Sequence, residues 1–414
     1  MSSSAWDPAN FDEWIDDPDW DEVTDVDAWK DEEVIAHLTR DPMVKGLHLQ
    51  SVPARNKRLL LVRPPYVLGT LNMLPPELID HILGLLDPIS LQTFGRASFH
   101  ALFVATQQSE YRLLQRVAPT ILPLLHVTGL AYLHSIHTVC QELRFQHCRS
   151  CGARATLLSL PTCERICENC VELNQAYWCL FLSEAKTAFA LDNVDIDPLP
   201  ILLTNARVWR GVEPDPTQLE TEYVTVKSAL TAGLHKWGSL QNMIAAAELI
   251  SPDRSPNAGV VEIAHARLYR FLRKARLYPL LFDPSQVKQT ASNPPPSTHP
   301  GMITTLFPTV PSGRSRPLSL YRCNGCWIIC QAPYQMEDDH LDLMEIDPVN
   351  SSEEDKARII RGRMLKVRTI DELRDHITHE CLGAKLLMFR RHKMRRDGEA
   401  EDHSHVVTVG GTGH

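Results

Sequence analysis

The chain has 414 residues, 43% of them hydrophobic, so it can bury the cores of two or three globular units without disulfide bonds. Its formal charge of -9 is placed unevenly, because residues 1–41 carry 14 acidic side chains against Lys30 and Arg40. The rest of the chain is nearly neutral, so its overall acidity does not indicate basic partners for the whole protein.

The cysteines and the amino terminus predict an intracellular protein. The eleven cysteines are grouped in CxxC pairs, and the first residues (MSSSAWDPANFDEW) lack the basic and apolar regions of a secretory signal. Residues 117–141 contain no Asp, Glu, Lys or Arg, but prolines and histidines interrupt them. We therefore expect a buried helical segment there, no membrane partner, and a location in the cytoplasm, the nucleus or both.

Residues 1–45 form an acidic segment with four dispersed tryptophans, Trp6, Trp14, Trp20 and Trp29. Because its charges repel one another, we expect this segment to be a disordered tail in isolation. Two roles stay open for it: a solvating tail, or a segment that folds onto a basic or aromatic-lined partner.

Residues 71–103 read LNMLPPELIDHILGLLDPISLQTFGRASFHALF, which predicts consecutive short helices. Two prolines open the first helix, where a missing N–H costs nothing; Asp87-Pro88 ends it, and Ser90 can cap the next. Helices this short and apolar need an outside surface to cover part of them.

In its order of residues this segment resembles the F-box family. The matching positions are Leu74, Pro75, Glu77, Leu78, Ile82, Leu83, Leu86, Asp87, Ser90, Leu91 and Phe94. The resemblance implies a three-helix module at residues 68–108 that binds the Skp adaptor and, through it, a cullin. The implied contact residues are Leu74, Pro75, Leu78, Ile82, Leu83, Leu86, Leu91 and Phe94. The alternative is an ordinary helix start whose apolar stripe is core.

A cysteine cluster follows at residues 148–170, within a helical region predicted for residues 109–283. It has the spacing of a zinc site, with one CxxC pair at Cys148 and Cys151 and a second at Cys167 and Cys170. Cys163 could replace one of the outer pair or remain free. Cys140, His147 and Cys179 are further candidates, and an iron-sulfur centre is a less favoured alternative.

Three apolar patterns predict helices later in the same region. The first follows a capping box at Thr217 and Glu220 and ends at Gly238, the second follows Ser239, and the third spans residues 261–272. Residues 284–317 are rich in Pro, Ser and Thr, which predicts a linker or a long surface loop. Residues 397–414 are small and polar, which predicts a disordered tail.

A second metal site is predicted within residues 318–396. Cys323 and Cys326 form a CxxC pair, and His376 and Cys381 follow at the end of a predicted helix. Together they can complete a tetrahedral set of ligands. Two alternatives stay open, because Cys330 could replace Cys381 and His379 could replace His376.

These features together predict a mainly α protein: an N-terminal three-helix F-box, then a helical, irregular domain stapled by one or two structural zinc sites. The combination of the F-box, the cysteine run, the segment LSEAKTAFAL and the distal CxxC with His-x4-Cys resembles F-box proteins of filamentous fungi. The resemblance implies a substrate-receptor subunit of an SCF-type ubiquitin ligase, which recruits an unknown target protein and has no catalytic residues of its own.

Two rival functions are weighed against this one. A zinc-stapled nucleic-acid binder is supported by the acid-free basic stretch 381–396, although nucleic acid is the less favoured partner. A ligase with its own cross-braced zinc domain needs interleaved ligands, and the two ligand groups here lie far apart. The sequence also has no GxSxG, P-loop or HExxH motif, which excludes common enzyme classes.

Overall fold

The computed structural model describes residues 17–40, 68–204, 221–250, 298–299, 303–314, 316–331 and 352–396. These residues are mainly helical, as predicted, with three small antiparallel sheets among them. The chain divides into two compact units: a central unit within residues 43–318, and a terminal unit that combines residues 1–42 with residues 319–414. In the described part of the chain no helix is long and apolar enough to cross a membrane.

The N-terminal segment belongs to the terminal unit. It contains helix α1 (Trp20–Val23), a 3-10 turn (Val26–Ala28), helix α2 (Asp31–Leu38) and strand β1 (Thr39–Arg40). The segment predicted to be disordered in isolation is thus ordered at residues 17–40 within the whole chain, while residues 1–16 and 41–45 lie outside the described part. The physical reason is the burial of Val26, Val34 and Leu38, each at most 1% exposed, in a hydrophobic core shared with the C-terminal region.

Among its described residues the central unit begins with a 3-10 turn (Gly69–Met73) and six α-helices. They are α3 (Pro76–Gly84), α4 (Pro88–Ala97), α5 (Phe99–Gln107), α6 (Ser109–Val117), α7 (Ile121–Val127) and α8 (Ile136–Arg144). Asp87, and not Ser90, caps α4, since its carboxylate accepts hydrogen bonds from the backbone N–H groups of Ile89 and Ser90. The burial of Ile121 in α7 and of Val139 in α8 confirms the buried helical segment predicted at residues 117–141.

A three-stranded sheet follows, built on the hairpin of β2 (Leu157–Ser159) and β3 (Glu164–Ile166). The third strand, β8 (Thr304–Leu306), pairs antiparallel with β2, so that Leu157 faces Leu306 in the register. The prediction of a linker or a long surface loop at residues 284–317 is therefore wrong for β8, which is a paired strand of this sheet. Its apolar residues Ile303 and Phe307 are buried in the core, and such residues stabilise a strand even between prolines.

Arg165 holds this strand to the hairpin from inside the core. Its side chain is fully buried, and its guanidinium donates hydrogen bonds to the backbone carbonyls of Glu142, Ala155, Phe307 and Pro308. Burial lowers the Arg165 pKa to about 10, partly offset by the nearby Glu142 carboxylate. The guanidinium therefore stays charged at neutral pH and satisfies four buried carbonyls at once.

The remaining described residues of the central unit include a four-stranded sheet. In chain order its elements are α9 (Glu168–Leu173), β4 (Cys179–Phe181), α10 (Leu182–Ala188), α11 (Asn193–Ile196), β5 (Leu202–Thr204), β6 (Thr221–Thr225), α12 (Val226–Trp237), α13 (Leu240–Ile250) and β7 (Thr298–His299). The strand order is β5-β6-β4-β7, with each neighbouring pair antiparallel.

The helix predicted from Thr217 to Gly238 begins later than expected. Residues 221–225 form β6, and Thr225 caps α12, while residues 205–220 lie outside the described part. The β-branched and aromatic residues of TEYVT favour a strand, and this preference outweighs the helical spacing of their apolar side chains. The helix expected after Ser239 is confirmed as α13; the pattern at residues 261–272 lies outside the described part.

The C-terminal region completes the terminal unit with strand β9 (Arg322–Cys323) and four helices. These are α14 (Asn324–Gln331), α15 (Glu353–Leu365), α16 (Ile370–His379) and α17 (Leu382–Arg396). Strand β9 pairs antiparallel with β1, so the N-terminal and C-terminal segments share one sheet. The tail predicted at residues 397–414 lies outside the described part.

Helices α14 and α17 approach so closely that both need glycine at the contact. A Cβ atom added at Gly325 would lie 2.1 Å from the backbone nitrogen of Ala384, and one added at Gly383 would lie 2.5 Å from the carbonyl oxygen of Gly325. No side chain fits at these distances, and the contact lies beside Cys326 and Cys381 in the sequence. The close approach of the two helices therefore depends on glycine at both positions.

Candidate metal centres and an exposed apolar surface

The first cysteine cluster has the geometry of a site for one metal ion. The sulfurs of Cys148, Cys151, Cys167 and Cys170 all lie within 4.8 Å of one another, and those of Cys151 and Cys167 are 3.6 Å apart. Two thiolates at about 2.3 Å from a tetrahedral ion would be separated by roughly 3.8 Å, whereas a disulfide needs about 2.05 Å. All four cysteines are free thiols, so the arrangement fits a metal ion better than a disulfide pair.

Two local turns present these sulfurs. In the first, Gly152 adopts φ +76°, a left-handed conformation that favours glycine, and the N–H of Ser150 donates to the Cys148 sulfur at 3.4 Å. In the second, Cys167 follows β3 and caps α9, where its sulfur accepts from the N–H of Cys170 at 3.5 Å. Hydrogen bonds of this kind stabilise negative charge on the sulfur, as a metal-bound thiolate requires.

The electrostatics of the cluster also favour a cation. The pKa of Cys148 lies far below its ordinary value because the thiols of Cys151, Cys167 and Cys170 donate hydrogen bonds to its sulfur. The pKa values of Cys167 and Cys170 are raised, first by their interaction with Cys148. Four sulfurs this close cannot all ionise alone, and a divalent cation would remove that barrier.

The surplus ligands considered in this region lie elsewhere. Cys140, Cys163 and Cys179 belong to the main hydrophobic core of the central unit, and burial raises the pKa of Cys163 to about 12 and that of Cys140 to about 11. Cys163 has φ 49° at the turn of the β2–β3 hairpin. His147 is exposed and packs edge-on against the ring of Phe145. The three cysteines are therefore core residues and His147 is a surface residue, and none of them belongs to the ligand set.

The second cluster brings together the ligands predicted for it. The sulfurs of Cys323 and Cys381 are 3.4 Å apart, those of Cys326 and Cys381 are 3.7 Å apart, and His376 Nε2 lies 3.1 Å from the Cys326 sulfur. All four side chains are buried, and their ligand atoms lie within 4.8 Å of one another. A set of three sulfurs and one imidazole nitrogen suits a tetrahedral ion.

Three elements of the terminal unit and one connection between helices supply this set. Cys323 lies in β9, opposite Thr39 of β1, and Cys326 lies in the first turn of α14. His376 lies in α16, which Thr369 caps, and Cys381 stands between α16 and α17. Because apolar residues of the N-terminal segment pack in the same core as the three cysteines, that segment forms part of the wall around this centre.

The imidazole of His376 is held in the orientation of a ligand. Its Nδ1–H donates to the Glu380 carboxylate at 2.8 Å, which leaves Nε2 to face the sulfurs. This hydrogen bond lowers the Glu380 pKa. The alternative ligand His379 is 69% exposed and pairs with Asp375, and the side chain of Cys330 lies outside the described part.

The thiol pKa values of this cluster follow the pattern of the first, with one lowered and two raised. The pKa of Cys323 is lowered because Cys326 and then Cys381 donate hydrogen bonds to its sulfur. The pKa values of Cys326 and Cys381 are raised, first by their interaction with Cys323. Here too a cation is needed before all three sulfurs can be thiolates.

The third candidate feature is an exposed apolar surface on the helices at residues 73–103. The structure exposes large hydrophobic side chains there at Met73, Leu78, Ile82, Leu85, Ile89, Phe99, Leu102 and Phe103. Only Tyr132, Val194 and Leu249 are comparably exposed in the rest of the described chain. Such a concentration is typical of a binding surface, whereas scattered exposed residues are not.

The contact residues predicted for this segment fall into three groups. Pro75, Leu78 and Ile82 are exposed. Leu74, Leu86 and Phe94 are partly buried against the core. Leu83 and Leu91 are each only 2% exposed, so they support the surface from beneath.

The contact residues predicted from the sequence do not include the exposed residues of α5. Phe99, Leu102 and Phe103 share one face of that helix, since residues three and four positions apart lie side by side. Their spacing is a signal in the sequence, but it does not distinguish an exposed face from a buried one.

No family model matches the chain, and neither a curated protein nor a solved structure matches it. The candidate functional features of the described residues are therefore two groups that could each hold a metal ion and one exposed apolar surface.

Proposed function

We propose that the chain is a non-catalytic substrate-receptor subunit of an SCF-type ubiquitin ligase, with an F-box at residues 68–108 and two structural zinc sites. The observation that carries this proposal is the exposed apolar surface, because it coincides with the segment whose sequence resembles an F-box. Burial of one leucine or isoleucine contributes roughly 1.5–3 kcal/mol. Leu78, Ile82 and Leu85, which share one face of α3 and the turn that follows it, can therefore anchor an adaptor.

Zinc is the metal that best suits both clusters. Four sulfurs, or three sulfurs and an imidazole nitrogen, are typical ligand sets for structural Zn²⁺. Their spacing suits one ion, whereas a cluster of several iron atoms needs its sulfurs further apart. Since the protein fills all four positions in each set, neither site keeps the open position that a catalytic zinc needs. This supports a role in stability and not in hydrolysis.

In this proposal the terminal unit or the later part of the central unit presents the target protein. Its effect on ubiquitin transfer would come from proximity alone, with no chemistry from its own side chains. Nucleic-acid binding is less favoured, because a nucleic acid would first have to displace carboxylates of the same chain: Lys393 contacts Asp17 at 3.1 Å and Arg396 contacts Asp19 at 3.6 Å.

The test is capture of partners from a cell extract by the tagged full chain. A variant with Leu78→Asp and Ile82→Asp should lose Skp and cullin, because it places two carboxylates in the apolar surface. The matched control is Val194→Asp with Leu249→Asp, which makes the same kind of change at two exposed side chains of the same unit. The control should retain both partners.

Three further outcomes are distinguishable. Loss of the partners by both variants would indicate a general effect of charge or misfolding, which the thermal unfolding curve of each variant would reveal. Capture of Skp and cullin by neither variant nor the native chain would overturn the F-box proposal. Steeply salt-dependent binding of DNA or RNA by the native chain would then favour the nucleic-acid binder.

A further inference from the structure

Leu382, Leu386 and Phe389 of helix α17 form an apolar surface, here called the cup, and Trp20 of the same chain packs on it. Trp20 is buried to 9% exposure, and its ring packs at 5.2 Å from the ring of Phe389. Leu382, Leu386 and Phe389 form with Trp20 a small hydrophobic cluster separate from the one that contains the metal ligands.

The rim of the cup is made by two cations that pair with carboxylates beside Trp20. Lys393 Nζ lies 3.1 Å from Asp17, and Arg396 lies 3.6 Å from Asp19. Lys393 also lies over the Phe389 ring, with its Nζ 5.0 Å from the centroid. The pKa of Asp17 is lowered by the backbone N–H of Asp19 and by Lys393. The segment that contacts the cup therefore supplies two carboxylates, Asp17 and Asp19, followed by Trp20.

The remainder of the N-terminal segment is held independently of this contact. Arg374 donates hydrogen bonds to the backbone carbonyls of Val26 and Trp29 and pairs with Asp31, and β1 pairs with β9. By contrast, α1 has only four residues, and its first residue is not capped by a side chain. So short a helix has little stability of its own, so residues 17–23 can leave the cup while residues 26–40 stay in place.

We propose that this cup is a docking site for a partner protein's acidic segment that carries a large aromatic residue, and that residues 17–20 occupy it in cis as a pseudoligand. A double-stranded nucleic acid, whose bases are already stacked on one another, would pair with Lys393 and Arg396 but leave the cup over Phe389 empty. A neutral apolar peptide would supply no carboxylates in place of Asp17 and Asp19. An acidic aromatic segment satisfies both, as the chain's own segment shows.

This inference goes beyond the proposed function and rests on it in one respect only: the cup would be the substrate-docking site if the chain is a ligase receptor. Binding of a peptide is measured with the purified full chain and no ligase component. Failure of the cup therefore leaves the apolar surface on α3 to α5 untouched, and failure of the F-box leaves the cup untouched.

The probe is a fluorescein-labelled synthetic peptide with the sequence of residues 15–24, IDDPDWDEVT. Its binding is followed by fluorescence anisotropy with the native chain and with Trp20→Ala. The native segment competes at a high effective concentration because it is tethered, so the variant should bind the peptide at least about tenfold more tightly. Adding Lys393→Glu and Arg396→Glu to that variant should abolish the gain.

A second pair of variants keeps the test valid if Trp20→Ala perturbs folding. Asp17→Asn with Asp19→Asn weakens only the rim contacts and should give roughly threefold tighter peptide binding. Asp21→Asn with Asp27→Asn makes the same charge change at two exposed carboxylates of the same segment and should leave binding unchanged. Unchanged melting curves would show that both double variants are folded.

Several results would overturn the proposal. Equal peptide binding by the native chain, Trp20→Ala and the Asp17→Asn, Asp19→Asn variant would show that the cup is not an exchangeable site. Binding that survives the reversal of Lys393 and Arg396 would place the peptide elsewhere. Equally tight binding of a single-stranded oligonucleotide of matching charge would make the surface a general polyanion site.

Discussion

The two metal centres use similar ligands but are assembled in different ways. The first takes its four sulfurs from residues 148–170, on two turns joined by one hairpin. The second takes its ligands from residues 323–381 and is walled by residues 26–38 from the N-terminal segment. The first therefore staples a local element, whereas the second joins segments that are remote in sequence.

This difference predicts how far the loss of each metal will spread. The hairpin of the first centre is also held by Arg165 and by the sheet with β8. In the terminal unit the ligands themselves connect β9, α14, α16 and the start of α17. Closing long loops without the metal costs conformational entropy, so the second centre should control the folding of its whole unit.

The largest effect is expected for Cys326→Ser, which removes a ligand of the second centre. Structural zinc can contribute on the order of 10 kcal/mol to folding, more than a unit of this size can spare. Hydrogen exchange followed by mass spectrometry should show loss of protection in α14, α16 and α17. It should also show loss in residues 26–40, which are remote from the ligands in sequence.

The central unit is the internal control for that measurement, because its helices α3 to α8 should keep their protection. If residues 26–40 stayed protected while α14 and α16 opened, the N-terminal segment would not depend on the metal centre. The comparison between a local and a remote staple would then fail.

A smaller effect is expected for Cys151→Ser in the first centre. It should destabilise the central unit by roughly 4 kcal/mol, since loss of a metal ligand is among the larger single-residue effects. Exchange should increase in residues 147–173, but α6 to α8 should remain protected because their core lies in the larger hydrophobic cluster. Complete unfolding of the central unit would show that the hairpin is not a local element.

The ligand sets of both centres could be predicted from the sequence because cysteine spacing is a local signal. CxxC pairs place two sulfurs on one turn, and His-x4-Cys ends a capped helix. The choice of His376 over His379 required the structure, since both lie on α16 and only their burial separates them. Sequence periodicity does not resolve such a difference when the neighbouring elements are unknown.

The packing of the N-terminal segment around the second centre could not be predicted from the sequence, for a physical reason. The N-terminal segment is dominated by charge, so its few apolar residues do not indicate that it folds. Val26, Val34 and Leu38 become core only because residues 319–396 offer a surface to them. Ile303 and Phe307 are also buried, but the prolines and serines around them in the sequence predict a loop. In both cases long-range packing decides the structure.

A substitution at the contact between α14 and α17 should weaken the second centre without removing one of its ligands. Gly383→Ala would place a methyl group 2.5 Å from the Gly325 carbonyl oxygen and 2.7 Å from Ile329, so the helices must move apart. We expect a loss of about 2–3 kcal/mol in the terminal unit, the typical cost of overpacking, with weaker retention of its metal. Thermal unfolding and a chelator titration with a metal indicator measure the two effects.

The matched control is Gly362→Ala in α15, where an added methyl group meets no atom within 4 Å. Since alanine favours a helix by about 1 kcal/mol over glycine, this variant should be neutral or slightly more stable. Metal retention by the first centre should be unchanged in both variants. Equal behaviour of the two glycine variants would show that the close approach does not set the ligand spacing.

The smallest predicted effect distinguishes the centres by their chemistry, since only the second contains a histidine held by a carboxylate. Glu380→Gln keeps a group that can accept the hydrogen bond from His376 Nδ1–H but removes its charge. Such a change should lower the metal affinity of the second centre about tenfold, at the low end for residues that orient a ligand.

Asp375→Asn is the control, because its pairing with His379 is exposed to solvent and lies outside the ligand set. A chelator titration should show one of two metal ions released earlier from Glu380→Gln and both released normally from Asp375→Asn. Equal release in the two variants would mean that the carboxylate orients His376 without strengthening it as a ligand.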